Sequence, residues 1–282
     1  MKLCRYGKPG FEKPGMIDGD GKLRDLSRVV DNIGPNEISP RGLKMLARIK
    51  PETLPLVNGN PRFGVPYVGI GKFVAIGLNY SDHAKEAGLP LPAEPIVFMK
   101  ATTCINGPND DVIQPRNSTK LDWEIELGVV IGTQARYVDE ASALSHVAGY
   151  CIVNDVSERA FQMATSQWDK GKGFDTSGPI GPWLVTTDEI RDPQVLDMKL
   201  EVNGRTMQNG NTHTMVFGVA KIISHVSQYM TLLPGDIIAT GTPPGVGLGI
   251  KPTPVFLKPG DVMTLAIGGL GQQRQKVVAY SA

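Results

Sequence analysis

The chain has 282 residues, 41% hydrophobic and 20% charged, with 29 Lys plus Arg against 28 Asp plus Glu for a formal charge of +1. That length can bury a core without metal or disulfide staples, and the near-neutral balance leaves no basic footprint for nucleic acid or an anionic membrane. Three cysteines without C-x-x-C spacing exclude a disulfide scaffold, and no run approaches the ~18 apolar residues of a membrane helix. The segment after Met1 lacks an apolar signal region, so a cytoplasmic location is expected. Abundant Gly (33) and Pro (22) with 6% aromatics favour many short strands and loops over a helical bundle.

Residues 1–66 read as a small β-rich leader. Asp18-Gly19-Asp20-Gly21 sits there as a tight turn; Lys22 and Arg24 fall where a calcium loop would need further acids. Residues 40–56 read as a short helix followed by a proline-rich link. Asn58-Gly59-Asn60-Pro61 and Pro66 mark a boundary, which divides the chain into 1–66 and 67–282. Beyond it, residues 73–77, 96–99, 123–131 and 148–155 read as strands. Residues 197–202 and 205–208 form a hairpin around Asn203-Gly204. Apolar residues at helical spacing predict a helix over 216–230. Regular βαβ alternation is missing, so a doubly wound sheet is not expected.

The chemistry concentrates in Leu121-Asp122-Trp123-Glu124-Ile125-Glu126-Leu127-Gly128-Val129. On a strand, Trp123, Ile125, Leu127 and Val129 share one face, and Asp122, Glu124 and Glu126 share the other. Neighbouring carboxylates on one face repel, and burial sharpens the conflict; a divalent cation would resolve it, and so would solvent at a sheet edge. The second apolar strand ends in Asn154-Asp155, where Asp155 is either a helix N-cap or a third oxygen ligand. Three carboxylates suit Mg²⁺ or Mn²⁺ better than Zn²⁺. Arg159 and Gln162, three apart in a helical stretch from 156, share a face toward Asp155.

These blocks are where the chain resembles the fumarylacetoacetate hydrolase superfamily over nearly its whole length. The resemblance runs through Gly77-Leu78-Asn79-Tyr80 with His83 and Glu86, Pro95 to Lys100, Asp122 to Leu127, Gly149-Tyr150 through Ser157, Gly171-Lys172, and Thr240-Gly241-Thr242-Pro243. It implies an α+β, mainly β fold: a mixed β-sandwich roll with a small N-terminal domain, assembled as a homodimer. It places a metal triad on Glu124, Glu126 and Asp155, a catalytic dyad on His83 and Glu86, an active-site lysine on Lys172, and substrate contacts on Arg159, Gln162 and Thr242. Many relatives carry an acid after the arginine, where this chain has Ala160.

The resemblance implies Mg²⁺-dependent hydrolysis of a carbon–carbon bond in a 2,4-diketo acid, releasing pyruvate. Blocks 156–159, 168–173 and 178–183 look most like bacterial 2,4-diketo-3-deoxy-rhamnonate or -fuconate hydrolases, often labelled ureidoglycolate lyase. The same site supports acylpyruvate hydrolysis, oxaloacetate decarboxylation and isomerisation of hydroxyheptadienedioates; a non-catalytic 2-oxo-acid binder is the remaining class. By spacing alone His83 and Glu86 form an ordinary surface pair, and Lys170 rivals Lys172. The other histidines, His146, His213 and His225, are expected to be structural or on the surface. Gly245-Val246-Gly247-Leu248-Gly249 precedes no helix, so it is expected to be a turn-rich connection and not a phosphate loop.

Overall fold

Phe73-Val74-Ala75-Ile76-Gly77 has no polar side chain, and the strand Phe73–Gly77 is buried at every position. This uniformity means that both its faces are covered. A computed structural model describes residues 1–88 and 90–281, with the side chains of His83 and Ala87 outside the description. Among the described residues, this strand belongs to a ten-stranded mixed sheet. It pairs in parallel with Ile237–Ala239 and antiparallel with Ile96–Lys100. Ile125–Ile131 lies between Ile237–Ala239 and Val147–Asn154.

Alternation along Ile125–Ile131 sorts two cores. Ile125, Leu127, Val129 and Ile131 pack into one cluster with Met198, Leu200, Met263 and Leu265. These partners come from a second, five-stranded sheet built around Asp197–Val202 and Val262–Ile267. Val130, on the opposite face, packs into the other cluster with Leu3, Met16, Leu26 and Ile33 of the leader. The result is a mixed, mainly β sandwich, as expected. The leader is woven into it: Lys2–Tyr6 pairs antiparallel with Gly178–Thr186, with Leu3 opposite Leu184. No local sequence signal reports a pairing of that span.

Local expectations hold in several places. The hairpin of Asp197–Val202 and Arg205–Asn211 turns on Asn203 and Gly204, at φ 52° and 78°. Both positive angles are those a two-residue hairpin turn requires. The Asp18 turn is also present: its carboxylate accepts from the Asp20 and Lys22 amides at 3.0 and 2.8 Å and from Arg24 Nε at 2.7 Å. The predicted helix over 216–230 is shorter, Val219–Ser227, because Val216 and Phe217 donate their amides to the backbone and side chain of Asn79.

The predicted strand over 123–131 is broken. Leu121–Asp122 pairs with Ser157–Glu158, and regular pairing resumes at Ile125. The two amides at the break are satisfied by side chains: Asn154 Oδ1 accepts from Glu124 N at 3.3 Å and Gln208 Oε1 from Ile125 N at 3.0 Å. The helix predicted from residue 156 is likewise only one turn, Arg159–Gln162, capped by Glu158, whose carboxylate accepts from Ala160 N.

Candidate metal and acyl-transfer site

The strand break turns Glu124 toward the end of Val147–Asn154, where Asp155 begins the next loop. Asp155 N donates to Glu124 O at 2.9 Å, which ties the two segments together. Glu124, Glu126 and Asp155 thereby place one carboxylate oxygen each within 4.8 Å of one another, all buried. Asp155 is not a helix cap; both its oxygens face lysines, Lys100 Nζ at 2.6 Å and Lys172 Nζ at 2.6 Å.

Lys172 bridges the acids, since the same ammonium reaches Glu124 Oε2 at 2.7 Å. It is 2% exposed, whereas its rival Lys170 is exposed. Gly171 makes this placement possible: a Cβ there would lie 2.4 Å from Gln162 N, so the lysine turn packs directly on the Arg159 turn. Arg159 donates to Glu124 Oε1 at 2.6 Å, Asp122 Oδ2 at 2.8 Å and Gln162 Oε1 at 3.0 Å.

Asp122 does not join the triad. The broken strand points it elsewhere, where it accepts from Arg159 and from the Gly247 and Leu248 amides at 2.6 and 3.0 Å. Thr242 lines the site's cavity. Its hydroxyl donates to Ile125 O at 2.8 Å and accepts from Gln208 at 2.8 Å, so its one proton is already committed within the fold. Glu86, on the helix Ser81–Ala87, accepts from Gly245 N at 3.1 Å. His83 lies on the same helix, its side chain outside the described residues.

The electrostatics are lopsided. Burial opposes ionisation of Glu124, but Lys172 and Arg159 overcome it and hold its carboxyl well below the usual range. Burial also raises Glu126, and Asp155 and Glu124 push the same way, so its carboxyl sits well above the usual range. Four acids (Asp122, Glu124, Glu126, Asp155) face three cations (Lys100, Arg159, Lys172), which leaves one negative charge over when all are ionised. Hard oxygen donors, close spacing and this excess fit a divalent cation. In this arrangement the Lys172 ammonium already spans two of the three acids as a cation would.

Glu124, Glu126, Arg159 and Lys172 of this cluster floor a cavity of about 630 Å³ that Glu86, Gln162 and Thr242 also line. Sequence reasoning missed Lys100 and Gln208. Lys100, fully buried, additionally donates to Lys172 O and Ser177 O, and so anchors the Lys172 turn against Asp155. Its only signal was a lysine closing an apolar strand. The remaining histidines lie elsewhere; His225 packs edge-on against Tyr229. All three cysteines are buried as free thiols. No helix among the described residues is long and apolar enough to cross a membrane.

A sequence model described as fumarylacetoacetate (FAA) hydrolase C-terminal matches residues 72–278. A protein of Burkholderia multivorans, named only as a candidate hydrolase, is 60% identical over 276 residues, with 98% of each chain covered. Among solved structures, a fumarylacetoacetate hydrolase from psychrophilic Exiguobacterium antarcticum is 35% identical with a TM-score of 0.89, covering 99% of this chain and all of that one. A 2-hydroxyhepta-2,4-diene-1,7-dioate isomerase from Mycobacterium marinum is 33% identical with a TM-score of 0.77, both chains fully covered. By sequence and by fold, the chain belongs to the fumarylacetoacetate hydrolase family of hydrolases and isomerases.

Proposed function

We propose that this chain hydrolyses a carbon–carbon bond in a 2,4-diketo acid with Mg²⁺ or Mn²⁺ as cofactor, yielding pyruvate and a second acid. Water adds across the bond between C3 and C4: the hydroxyl joins the C4 acyl carbon, and C3 takes a proton. The observation that carries this reading is the buried triad of Glu124, Glu126 and Asp155, of which Glu124 and Glu126 line the cavity, with Glu126 in no ion pair among the described residues. Bound there, a divalent cation supplies Lewis-acid stabilisation of negative charge on the substrate's oxygens.

The protein's own groups do the rest. Arg159, fixed by Asp122 and Glu124, and Gln162 orient the substrate's acid end. Lys172, whose ammonium is favoured by Asp155 and Glu124 despite burial, stabilises negative charge at the attacked carbonyl. His83 is assigned as base for the attacking water, a task an imidazole can perform near neutral pH. Glu86, three residues on, stabilises the charged imidazole. Thr242 is assigned through the backbone it shapes, since its hydroxyl proton goes to Ile125 O.

A 2,4-diketo-3-deoxy sugar acid such as the rhamnonate derivative is the proposed substrate, carried by the resemblance of blocks 156–159, 168–173 and 178–183. The same resemblance carries a homodimer with a small N-terminal domain; the cytoplasmic location rests on the missing apolar signal region and the division into 1–66 and 67–282 on the turn residues 58–66. The family match beginning at residue 72 supports that boundary. A second reading, isomerisation of an unsaturated 2-oxo dioate, is favoured by the likeness to the M. marinum isomerase. Mass spectrometry of products after incubation with synthetic 2,4-diketo-3-deoxy sugar acids and Mg²⁺ separates them. Pyruvate with an incorporated water oxygen in the second acid is expected; an isomer of unchanged mass would overturn hydrolysis.

A further inference from the structure

Most polar atoms of the described lining are gathered at the cavity floor and committed to one another; Glu86, held by Gly245 N, and the exposed Lys251 lie apart from them. Between these, the described walls present two apolar flanks. On the Lys172 side stands Phe98, its ring centroid 5.3 Å from Lys172 Nζ, with Trp168 edge-on to it at 5.3 Å. On the Arg159 side stand Val246 and Leu248, carried by the Gly-x-Gly-x-Gly connection that the sequence marked out. A surface of this kind left to water is costly, so it is expected to be covered by a ligand.

Both flanks are held in place. A Cβ on Gly77 would lie 2.6 Å from Trp168 Cζ3, so the indole packs directly on the strand end. The Leu248 loop is pinned at both ends: Asp122 accepts from the Gly247 and Leu248 amides, and Glu86 accepts from Gly245 N. Asp122 also holds Arg159, so one buried carboxylate fixes the floor and the wall relative to each other. A prearranged wall selects by shape and polarity, because it does not repack around a polar chain.

We infer that the acyl end of the substrate is apolar and packs between Trp168 and Leu248, with Leu248 as the specificity-determining residue. This rests on the proposed 2-oxo-acid reading, since that reading sets the acid end on the floor. The methyl terminus of a 6-deoxy sugar acid fits this wall; a terminal hydroxymethyl group or a second carboxylate would lose its water there, and the Glu86 carboxylate that also lines the cavity is already engaged by Gly245 N and would repel a second carboxylate. Lys251, at the rim and exposed, is the charged residue that could serve a second carboxylate, which makes that arm of the test decisive.

The probe is a series of N-alkyl oxamates, methyl to pentyl, with ω-hydroxy and ω-carboxy counterparts, titrated calorimetrically into the protein with Mg²⁺. Affinity is expected to rise about fourfold per methylene, the worth of burying one such group, and to fall at least tenfold for each polar terminus. Leu248→Gln should flatten the series, while Leu248→Met keeps it. A flat wild-type series, a preference for either polar terminus, an unaltered slope in Leu248→Gln, or no binding would overturn the inference. An intact slope with no turnover of any acylpyruvate would leave it standing and fell the hydrolase reading.

Discussion

Two ionic networks in this chain, one half-buried and one buried, differ in their balance. At the leader's edge, Arg5 and Arg62 face Glu12 and, from beyond the leader, Asp110, two cations to two acids; Arg62 reaches Glu12 at 2.9 Å and Asp110 at 2.6 Å. Burial pushes the Glu12 carboxyl up, but Arg62 and Arg5 prevail and hold it below its ordinary value. At the cavity floor four acids meet three cations, and Glu126 is pushed the other way by burial, Asp155 and Glu124. The first network closes on itself and clasps the leader, through Arg62, to Asp110. The second does not close: Glu126 has no ion pair among the described residues, and a cofactor there would complete it.

That contrast predicts different consequences of breaking each network. The largest effect belongs to Lys172→Met, which strips the shared partner from Glu124 and Asp155. It should cost about 3–5 kcal/mol in chemical denaturation, as removing one member of a buried ion pair does. Turnover should fall about 10²–10³-fold, the scale of losing one electrostatic stabiliser. Mg²⁺ should restore part of the lost stability but not the rate. Arg62→Ala should cost less, about 1–3 kcal/mol, and leave kcat/KM at 25 °C within about twofold. A large loss of turnover in Arg62→Ala would mean that the leader network serves the site and that the comparison is wrong.

The legible features were local. Phe73–Gly77 was read from its unbroken apolar run and the 203–204 hairpin from its turn residues; strand parity offered Asp122, Glu124 and Glu126 with Asp155 as either cap or ligand, and the family resemblance narrowed these to the triad. Contacts made across the chain left no such trace. Asp122 has the right parity to join Glu124 and Glu126, yet the Trp123–Glu124 break, held by Asn154 and Gln208, sends it to Arg159 instead. Lys100 closes an apolar strand, a common place for a lysine to reach solvent, but here Asp155, Lys172 O and Ser177 surround it. The leader's entry into the main sheet depends on Leu3 meeting Leu184, a contact that no window of sequence contains.

The central claim, that the triad holds a divalent cation, is tested most directly by thermal denaturation of wild type and Glu126→Gln across a range of Mg²⁺ concentrations. Because Glu126 has a raised folded-state pKa, its ionisation costs stability as pH rises above the ordinary carboxylate value. At pH 7 without metal, Glu126→Gln should therefore melt a few degrees higher than wild type. Adding Mg²⁺ should raise the wild-type Tm progressively, by the equivalent of about 2.7 kcal/mol at a hundredfold excess over Kd, and move the variant little. A wild-type Tm indifferent to both Mg²⁺ and Mn²⁺, or a variant that gains as much as wild type, would contradict the account.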